Sequence, residues 1–223
     1  MKKSIILLDG NSLMFRAYYA TAYTGNLMKT SSGIYTNALY GFVNMLNKIK
    51  DTFDCSYMLV AFDKGKATFR HQALSSYKGT RKHMPEELAM QIPLIKEYLD
   101  VLGIKRLELD DYEADDIVGS MAKLASVNEY EVVCLSGDKD LLQLVDNNIT
   151  VMLTKKGITD LDEYTLVNFK EKMGFDAFQM VDYKAMIGDN SDNLEGVKGI
   201  GPKTAVSLLT KYHDIDGIYQ NLD

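Results

Sequence analysis

Three apolar runs in this chain each end on an aspartate: Ile5-Ile6-Leu7-Leu8-Asp9, Met58-Leu59-Val60-Ala61-Phe62-Asp63 and Val132-Val133-Cys134-Leu135-Ser136-Gly137-Asp138. Continuous runs of β-branched and large apolar residues, followed by helical patterns, read as strands buried on both faces of a parallel sheet. The carboxyl ends of such strands form the ligand-binding edge of an α/β fold. Three acids are therefore expected along one edge.

The intervening segments support this reading. Ala38, Leu39, Phe42, Val43, Leu46 and Ile49 recur at helical spacing and predict an amphipathic helix from about Tyr35 to Lys50. Pro85 suits the first turn of another helix, with Leu88, Ile92, Ile95 and Leu99 on one face, a bend at Pro93 and an end at Gly103. A strand over Ile104 to Leu109 leads into a helix carrying Glu113 to Asp116, on which 113 and 116 share a face and 115 turns away. After about Leu161 the strands are expected to cease, leaving helices over Glu163 to Lys172 and Phe178 to Ile187. The expected fold is α/β: a doubly wound, mostly parallel sheet over residues 1–160, then a helical subdomain over 161–223.

Further acids come in compact groups: Glu113-Ala114-Asp115-Asp116, Asp138-Lys139-Asp140 and Asp189-Asn190-Ser191-Asp192. Taken singly, each acid after a strand could be the N-cap of the next helix. Caps alone do not require paired acids at four edges of one sheet. Asp9, Asp63, Glu113, Asp115, Asp116, Asp138, Asp140, Asp189 and Asp192 are therefore expected to share one pocket. Like charges that close repel strongly unless cations neutralise them. All-oxygen ligands select hard divalent ions, Mg2+ or Mn2+. Glu108, Asp110 and Asp111 belong to no such group and are left as surface residues. The three histidines do not cluster, and Cys55 and Cys134 lack metal-ligand spacing, which argues against zinc chemistry.

The net charge of -6 looks wrong for a nucleic-acid partner, but with the nine candidate ligands set aside 22 acids face 25 lysines and arginines. Between Lys64 and His83 stand Lys64, Lys66, Arg70, Lys78, Arg81 and Lys82 with no acid among them, interleaved with Phe69 and Tyr77. Cations for phosphates and rings for bases are what single-stranded nucleic acid requires. A second signal is Gly196-Val197-Lys198-Gly199-Ile200-Gly201-Pro202-Lys203-Thr204-Ala205, a tight turn opening a helix whose free amides suit a phosphate. No apolar stretch reaches membrane-spanning length, and the five or so apolar residues after Met-Lys-Lys-Ser are too few for a secretory segment, so a cytosolic location is expected.

Asp9-Gly10-Asn11, Ala61-Phe62-Asp63, Tyr77-Lys78-Gly79, Glu113 to Asp116, Ser136-Gly137-Asp138-Lys139-Asp140, Gly188 to Asn193 and the Gly199-Ile200-Gly201 turn together resemble the 5′-nuclease (flap endonuclease) family. The likeness is greatest to the N-terminal 5′ to 3′ exonuclease domain of bacterial DNA polymerase I, and it runs in order from the first strand to about Tyr212. It implies a PIN-like core with a helical arch at about 64–93 and a helix-hairpin-helix-type turn in the helical subdomain. It also implies cleavage of branched or nicked DNA and RNA primers bearing 5′ single strands, in replication and repair. The nine acids match the family's metal ligands: Asp9, Asp63, Glu113 and Asp115 near a first ion, and Asp138, Asp140, Asp189 and Asp192 near a second about 4 Å away. Asp116 would hold the water bound to metal, while Lys78 and Arg81 neutralise charge on the phosphate. Arg16, Arg70, Tyr77 (by stacking on a base), Lys82, Lys198, Gly199, Gly201, Lys203 and Thr204 would contact DNA, with K+ at the Gly196–Gly201 turn.

By the same resemblance the protein would be a monomer in the bacterial cytoplasm, associated with the nucleoid and in its full-length form attached to a polymerase. The family domain continues through further helices, so a chain ending at Asp223 reads as a fragment or a short stand-alone relative with weakened grip on duplex. Two rivals compete. An aspartyl-phosphate hydrolase would need an acid where Asn11 stands. A non-catalytic DNA-binding scaffold of the same fold would have no need to keep every ligand.

Overall fold

The computed structural model describes residues 3–22, 27–65, 68–81, 83–156 and 160–222. The chain runs β1 (Ser4–Asp9), α1 (Gly10–Ala22), α2 (Asn37–Thr52), β2 (Tyr57–Ala61), α3 (Phe69–Ala73), α4 (Glu86–Ala89), α5 (Ile92–Val101), β3 (Lys105–Leu107), α6 (Ala114–Val127) and β4 (Glu131–Ser136). A 3-10 turn over Lys139–Leu144 leads to β5 (Ile149–Lys156), β6 (Asp160–Tyr164), α7 (Phe169–Met173), a second 3-10 turn over Ala177–Gln179, α8 (Met180–Ile187), β7 (Gly188–Asp189), β8 (Leu194–Glu195), α9 (Pro202–Tyr212) and α10 (Ile215–Tyr219).

The main sheet has the order β3-β2-β1-β4-β5-β6, parallel except for β6, which returns antiparallel to β5. This is the expected doubly wound, mostly parallel sheet. Its central strand is buried on both sides: Ile6 and Leu8 pack with α1, α2 and α5, whereas Leu7 packs with α6 and the C-terminal helices. Burying each such side chain stabilises the fold by about 1.5–3 kcal/mol, which is why the strand tolerates no alternation with polar residues. Chain order reverses between β1 and β4, and the crevice beyond their carboxyl ends is where open α/β sheets bind ligands.

The structure corrects several local expectations. The connection from β1 to β2 holds two helices, since α1 precedes the expected one; its opening Gly10-Asn11-Ser12 has turn-type composition that hides a helix start. The helix expected after Pro85 is two helices, because Pro93 sits in the first turn of α5 and breaks the segment instead of bending it. Gln91 at the break is fully buried and satisfied: its Oε1 accepts the Ala38 and Leu39 amides, and its Nε2 donates to Asn37 Oδ1 and Glu87 O. Strands do not cease at Leu161: β6 occupies the start of the expected 163–172 helix, with Leu161 and Tyr164 on opposite faces, and β7 and β8 form a small hairpin. That hairpin needs Gly188 on β7 and Gly196 just past β8, since a Cβ on Gly188 would meet Gly196 N at 2.3 Å, one on Gly196 would meet Ile187 C at 2.3 Å, and Gly188 itself has φ +73. Among the described residues no helix is long and apolar enough to cross a membrane.

Candidate active site

Five acids line one cleft of about 680 Å³ at the carboxyl edge of the sheet: Asp9, Asp63, Glu113, Asp115 and Asp138. Gly10 makes their approach possible, because any side chain there would meet the Phe62 ring at 2.5 Å and Ala61 O at 2.8 Å. Asp9 is buried; its Oδ1 accepts the Ser12 amide at 2.9 Å and its Oδ2 accepts Ser136 Oγ at 2.7 Å. Ser136 Oγ in turn accepts the Asp138 amide, which ties the ends of β1 and β4 together. Asn11 grips Asp63 twice, Nδ2 donating to Oδ2 at 2.8 Å and Oδ1 accepting its amide at 3.1 Å. Asp63 Oδ1 accepts the Ala114 amide at 2.7 Å and so docks the first turn of α6 against β2.

These groups hold one another with neutral donors, and the electrostatic consequence is visible. Burial pushes Asp9 up to about 6, against its hydrogen bonds from Ser12 and Ser136 and with help from the charges of Asp63 and Asp138. Burial, then the charges of Asp9 and Asp138, push Asp115 up to about 8. Burial also raises Asp63, against the Ala114 amide. Asp115 Oδ1 is buried without a hydrogen-bond partner. An orphaned carboxylate oxygen among acids driven toward protonation fits a hard divalent cation, which supplies the missing charge and takes only oxygen ligands. Asp115 does not turn away from Glu113 as expected: Glu113 is the N-cap of α6, outside the helical repeat, and both line the cleft.

The remaining acids are arranged differently, and this corrects the expectation of nine carboxylates in one pocket. Asp116 forms a two-pronged pair with Arg70 at 2.7 Å for each contact and accepts the Glu113 amide at 2.9 Å. Glu113 receives Lys78 Nζ at 2.8 Å and the Tyr77 hydroxyl at 3.1 Å. Asp192 receives the same hydroxyl at 3.0 Å and Arg81 at 2.5 Å. Lys184, on α8, pairs with Asp189 and with Asp140 Oδ1, the latter at 2.6 Å but off the line of a hydrogen bond. Despite burial, Lys184 and Ser191 hold Asp189 down to about 2. Asp116, Asp140 and Asp192 share an adjoining cavity of about 300 Å³ with Glu113 and Asp115, and the chain's own cations stand among these acids farther from β1. As the side chains stand, no three His, Cys, Asp or Glu residues among those described close around a metal position.

The basic segment lies against this second group. Lys78, held at φ +54, and Arg81 line the cleft with the acids. Arg16 lines it too, anchored by bonds to the Thr154 and Lys155 carbonyls. Arg70 is committed to Asp116. Tyr77 is not the stacking platform expected from sequence: only 6% exposed, it has its hydroxyl bound by two carboxylates and its ring edge-to-face with His71. Lys82 lies outside the described residues. The glycine turn stands apart from the cleft lining, with Lys198, Gly199, Gly201, Lys203 and Thr204 exposed, Gly199 at φ +86, Gly201 as N-cap and Pro202 as first residue of α9. Sequence reasoning missed Ser12 and Ser136, which orient Asp9, and Lys184. It also missed Phe15 and Tyr19, stacked rings four residues apart on the cleft-facing side of α1; that spacing around Arg16 was the available signal.

With this geometry in hand, comparison with known proteins is informative. Residues 4–174 match the family model described as 5′-3′ exonuclease, N-terminal resolvase-like domain, and residues 175–223 match 5′-3′ exonuclease, C-terminal SAM fold. The chain is 47% identical over 223 residues to DNA polymerase I of Bacillus caldotenax and 46% identical over 222 residues to that of Bacillus subtilis (strain 168). It is covered completely in both cases and spans a quarter of the length of these relatives. Among solved structures, the fold is similar to a T5 5′-exonuclease with divalent metal ions (zinc) bound, at TM-score 0.77 and 24% identity over 99% of this chain and 79% of that one. Flap endonuclease-1 from Methanococcus jannaschii gives TM-score 0.63 and 19% identity, covering all of this chain and 75% of the other.

Proposed function

The chain belongs to the 5′-3′ exonuclease family, and from that premise we propose that it hydrolyses phosphodiester bonds in 5′-flap or nicked DNA and in RNA primers, as a structure-specific 5′ nuclease of replication and repair. The observation that carries the reading is buried Asp9 beside half-buried Asp115, raised to about 6 and 8, with Asp115 Oδ1 buried and unpartnered. Folding leaves that charge deficit at the sheet edge where substrates bind, and a divalent ion relieves it.

Asp9, Asp63, Glu113 and Asp115 would hold a first Mg2+ or Mn2+, and Asp138, Asp140, Asp189 and Asp192 a second, with Asp116 orienting water. When bound, such ions supply Lewis-acid stabilisation of the phosphate and acidify the attacking water. The rest of the chemistry belongs to the chain. Ser12, Ser136 and Asn11 fix the carboxylates so that little reorganisation accompanies reaction. Lys78 and Arg81 bring positive charge to the same cleft, where it offsets charge building on the phosphate. Arg16, Phe15 and Tyr19 present a cation and two rings to the entering strand. Lys198, Lys203 and the amides at the start of α9 hold duplex phosphates, with K+ on the turn's carbonyls.

Residues 64–93 would act as the arch, within a core of 1–160 followed by a helical DNA-binding subdomain over 161–223. Relatives of this chain carry it within DNA polymerase I, and we read a polymerase as its covalent partner in the full-length protein, a monomer of the bacterial cytoplasm and nucleoid. The reading is tested with a 5′-flap duplex in the presence and absence of Mg2+. Cleavage to 5′-phosphate products is expected only with the ion. Asp138→Ala should abolish cutting while leaving the DNA dissociation constant within about threefold, because a metal ligand acts on charge that develops in the reaction. Tight binding without metal-dependent cleavage would favour the scaffold reading instead.

A further inference from the structure

Among the described residues two cations each bridge a pair of candidate ligands: Arg70 spans Glu113 and Asp116, and Lys184 spans Asp140 and Asp189. Arg70 and Arg81 enter from the basic segment, which contacts DNA in the proposed function, but Lys184 rises from α8 within the fold's own scaffold. Its Nζ contacts both Asp140, in the 3-10 turn after β4, and Asp189, in β7 just after α8. Asp189 Oδ1 is already taken by the Ser191 amide and hydroxyl, at 2.7 and 2.6 Å, so Oδ2 is the oxygen left for an ion, and Lys184 holds it. At the other end, Asp140 Oδ1 lies 2.6 Å from Nζ without hydrogen-bond alignment, a contact of charge rather than of geometry. Asp9 and Asp115 have no such counterion among the described residues.

We propose that Lys184 is a resident counterion of the Asp140–Asp189 pair that competes with a divalent cation for it. The DNA-free protein then fills the Asp9–Asp115 side first and the Asp140–Asp189 side only weakly. The inference rests on the proposed reading of these acids as metal ligands. Its physical basis is that a divalent ion entering between Asp140 and Asp189 must displace an ammonium or lie against it, and like charges at contact distance repel strongly even in a polar environment. Lysine suits the task because its compact charge sits on a flexible stem that can swing aside without disturbing the backbone. Lys184 is thus a positioning residue, acting on occupancy and not on the reacting atoms.

The test is titration of the purified protein with Mn2+ in the absence of DNA, followed by calorimetry and by the loss of the free-ion paramagnetic resonance signal. Wild type should show one tight and one weak site. Lys184→Met should tighten the weak site by about tenfold or more, whereas Lys184→Arg, which keeps the charge, should leave both near wild type. In Lys184→Met the gain should vanish on adding Asp189→Asn. Lys184→Gln, which keeps a polar head without charge, replaces Lys184→Met if thermal melting shows the latter unfolded. Unchanged or weakened second-site binding in a folded, charge-free variant overturns the inference while leaving the nuclease reading intact. Failure of the wild-type protein to bind Mn2+ at any site overturns both.

Discussion

The carboxylates at the β1 and β2 edge and those around the α8 turn face the same repulsion and meet it in opposite ways. Asp9 and Asp63 are held by a serine amide, a serine hydroxyl, an asparagine and a helix amide, Asp115 Oδ1 has no hydrogen-bond partner, and none of the three acids has a lysine or arginine within ion-pair distance among the described residues. Asp116, Asp140, Asp189 and Asp192 each have one. Burial without a paired cation, with the neighbouring acids' charges added, raises Asp9 and Asp115 to about 6 and 8, while Lys184 and Ser191 hold Asp189 near 2 against its burial. The first region is organised for a cation that must come from outside. The second already holds three cations for its four carboxylates, although burial still raises Asp140, and it must exchange those partners to bind anything else.

Asp115→Asn should break this contrast most severely. Cleavage should fall by about 10³-fold or more, since removing one fixed charge-stabilising group from a reaction centre has effects of that order. The same substitution should stabilise the metal-free protein. For a carboxyl raised from 3.8 to about 8, the contribution to stability is full below 3.8 and is lost as the pH climbs through 8. The variant's melting temperature should therefore exceed wild type by roughly 10 °C or more at pH 8.5, from ~1.4 kcal/mol per pH unit and ~2–4 °C per kcal/mol for a chain of this size, and approach it at pH 4. Equal melting at both values would mean that Asp115 carries no uncompensated charge.

In the paired region the sign should reverse. Tyr77→Phe removes a buried hydroxyl that donates to both Glu113 and Asp192, and urea unfolding should show a loss of about 1–3 kcal/mol. A neutral result would mean that Lys78 and Arg81 alone hold those acids. The smallest effects belong far from both groups. Lys198→Ala and Lys203→Ala should each weaken DNA binding a few-fold and lower the salt-dependence slope by about 1, with the rate at saturating DNA unchanged. A fall in that rate would draw the glycine turn into the chemistry.

The parts of this molecule legible in sequence are those where one local rule decides. Ile5 to Leu8 had to be a buried strand, because an unbroken apolar run pays for itself only when both faces are covered, and the acid after it then lies at the ligand edge. Candidate ligands could be named for the same reason. Local rules failed where signals conflict: Gly10-Asn11-Ser12 has turn-type composition yet opens α1, and Glu163 and Tyr164, expected to open a helix, end the strand β6 that pairs with β5.

Membership of the acidic group was thus written in the linear order of residue types, because strand burial and strand ends are properties of short segments. Partnership was decided only by the tertiary structure. Tyr77 meets Asp192 across 115 positions, and Lys184 meets Asp140 from a separate helix. Electrostatic energy depends on separation through space and on the burial of both charges, neither of which sequence distance encodes. Which carboxylates keep a cation and which await one followed from how the helices closed over the sheet.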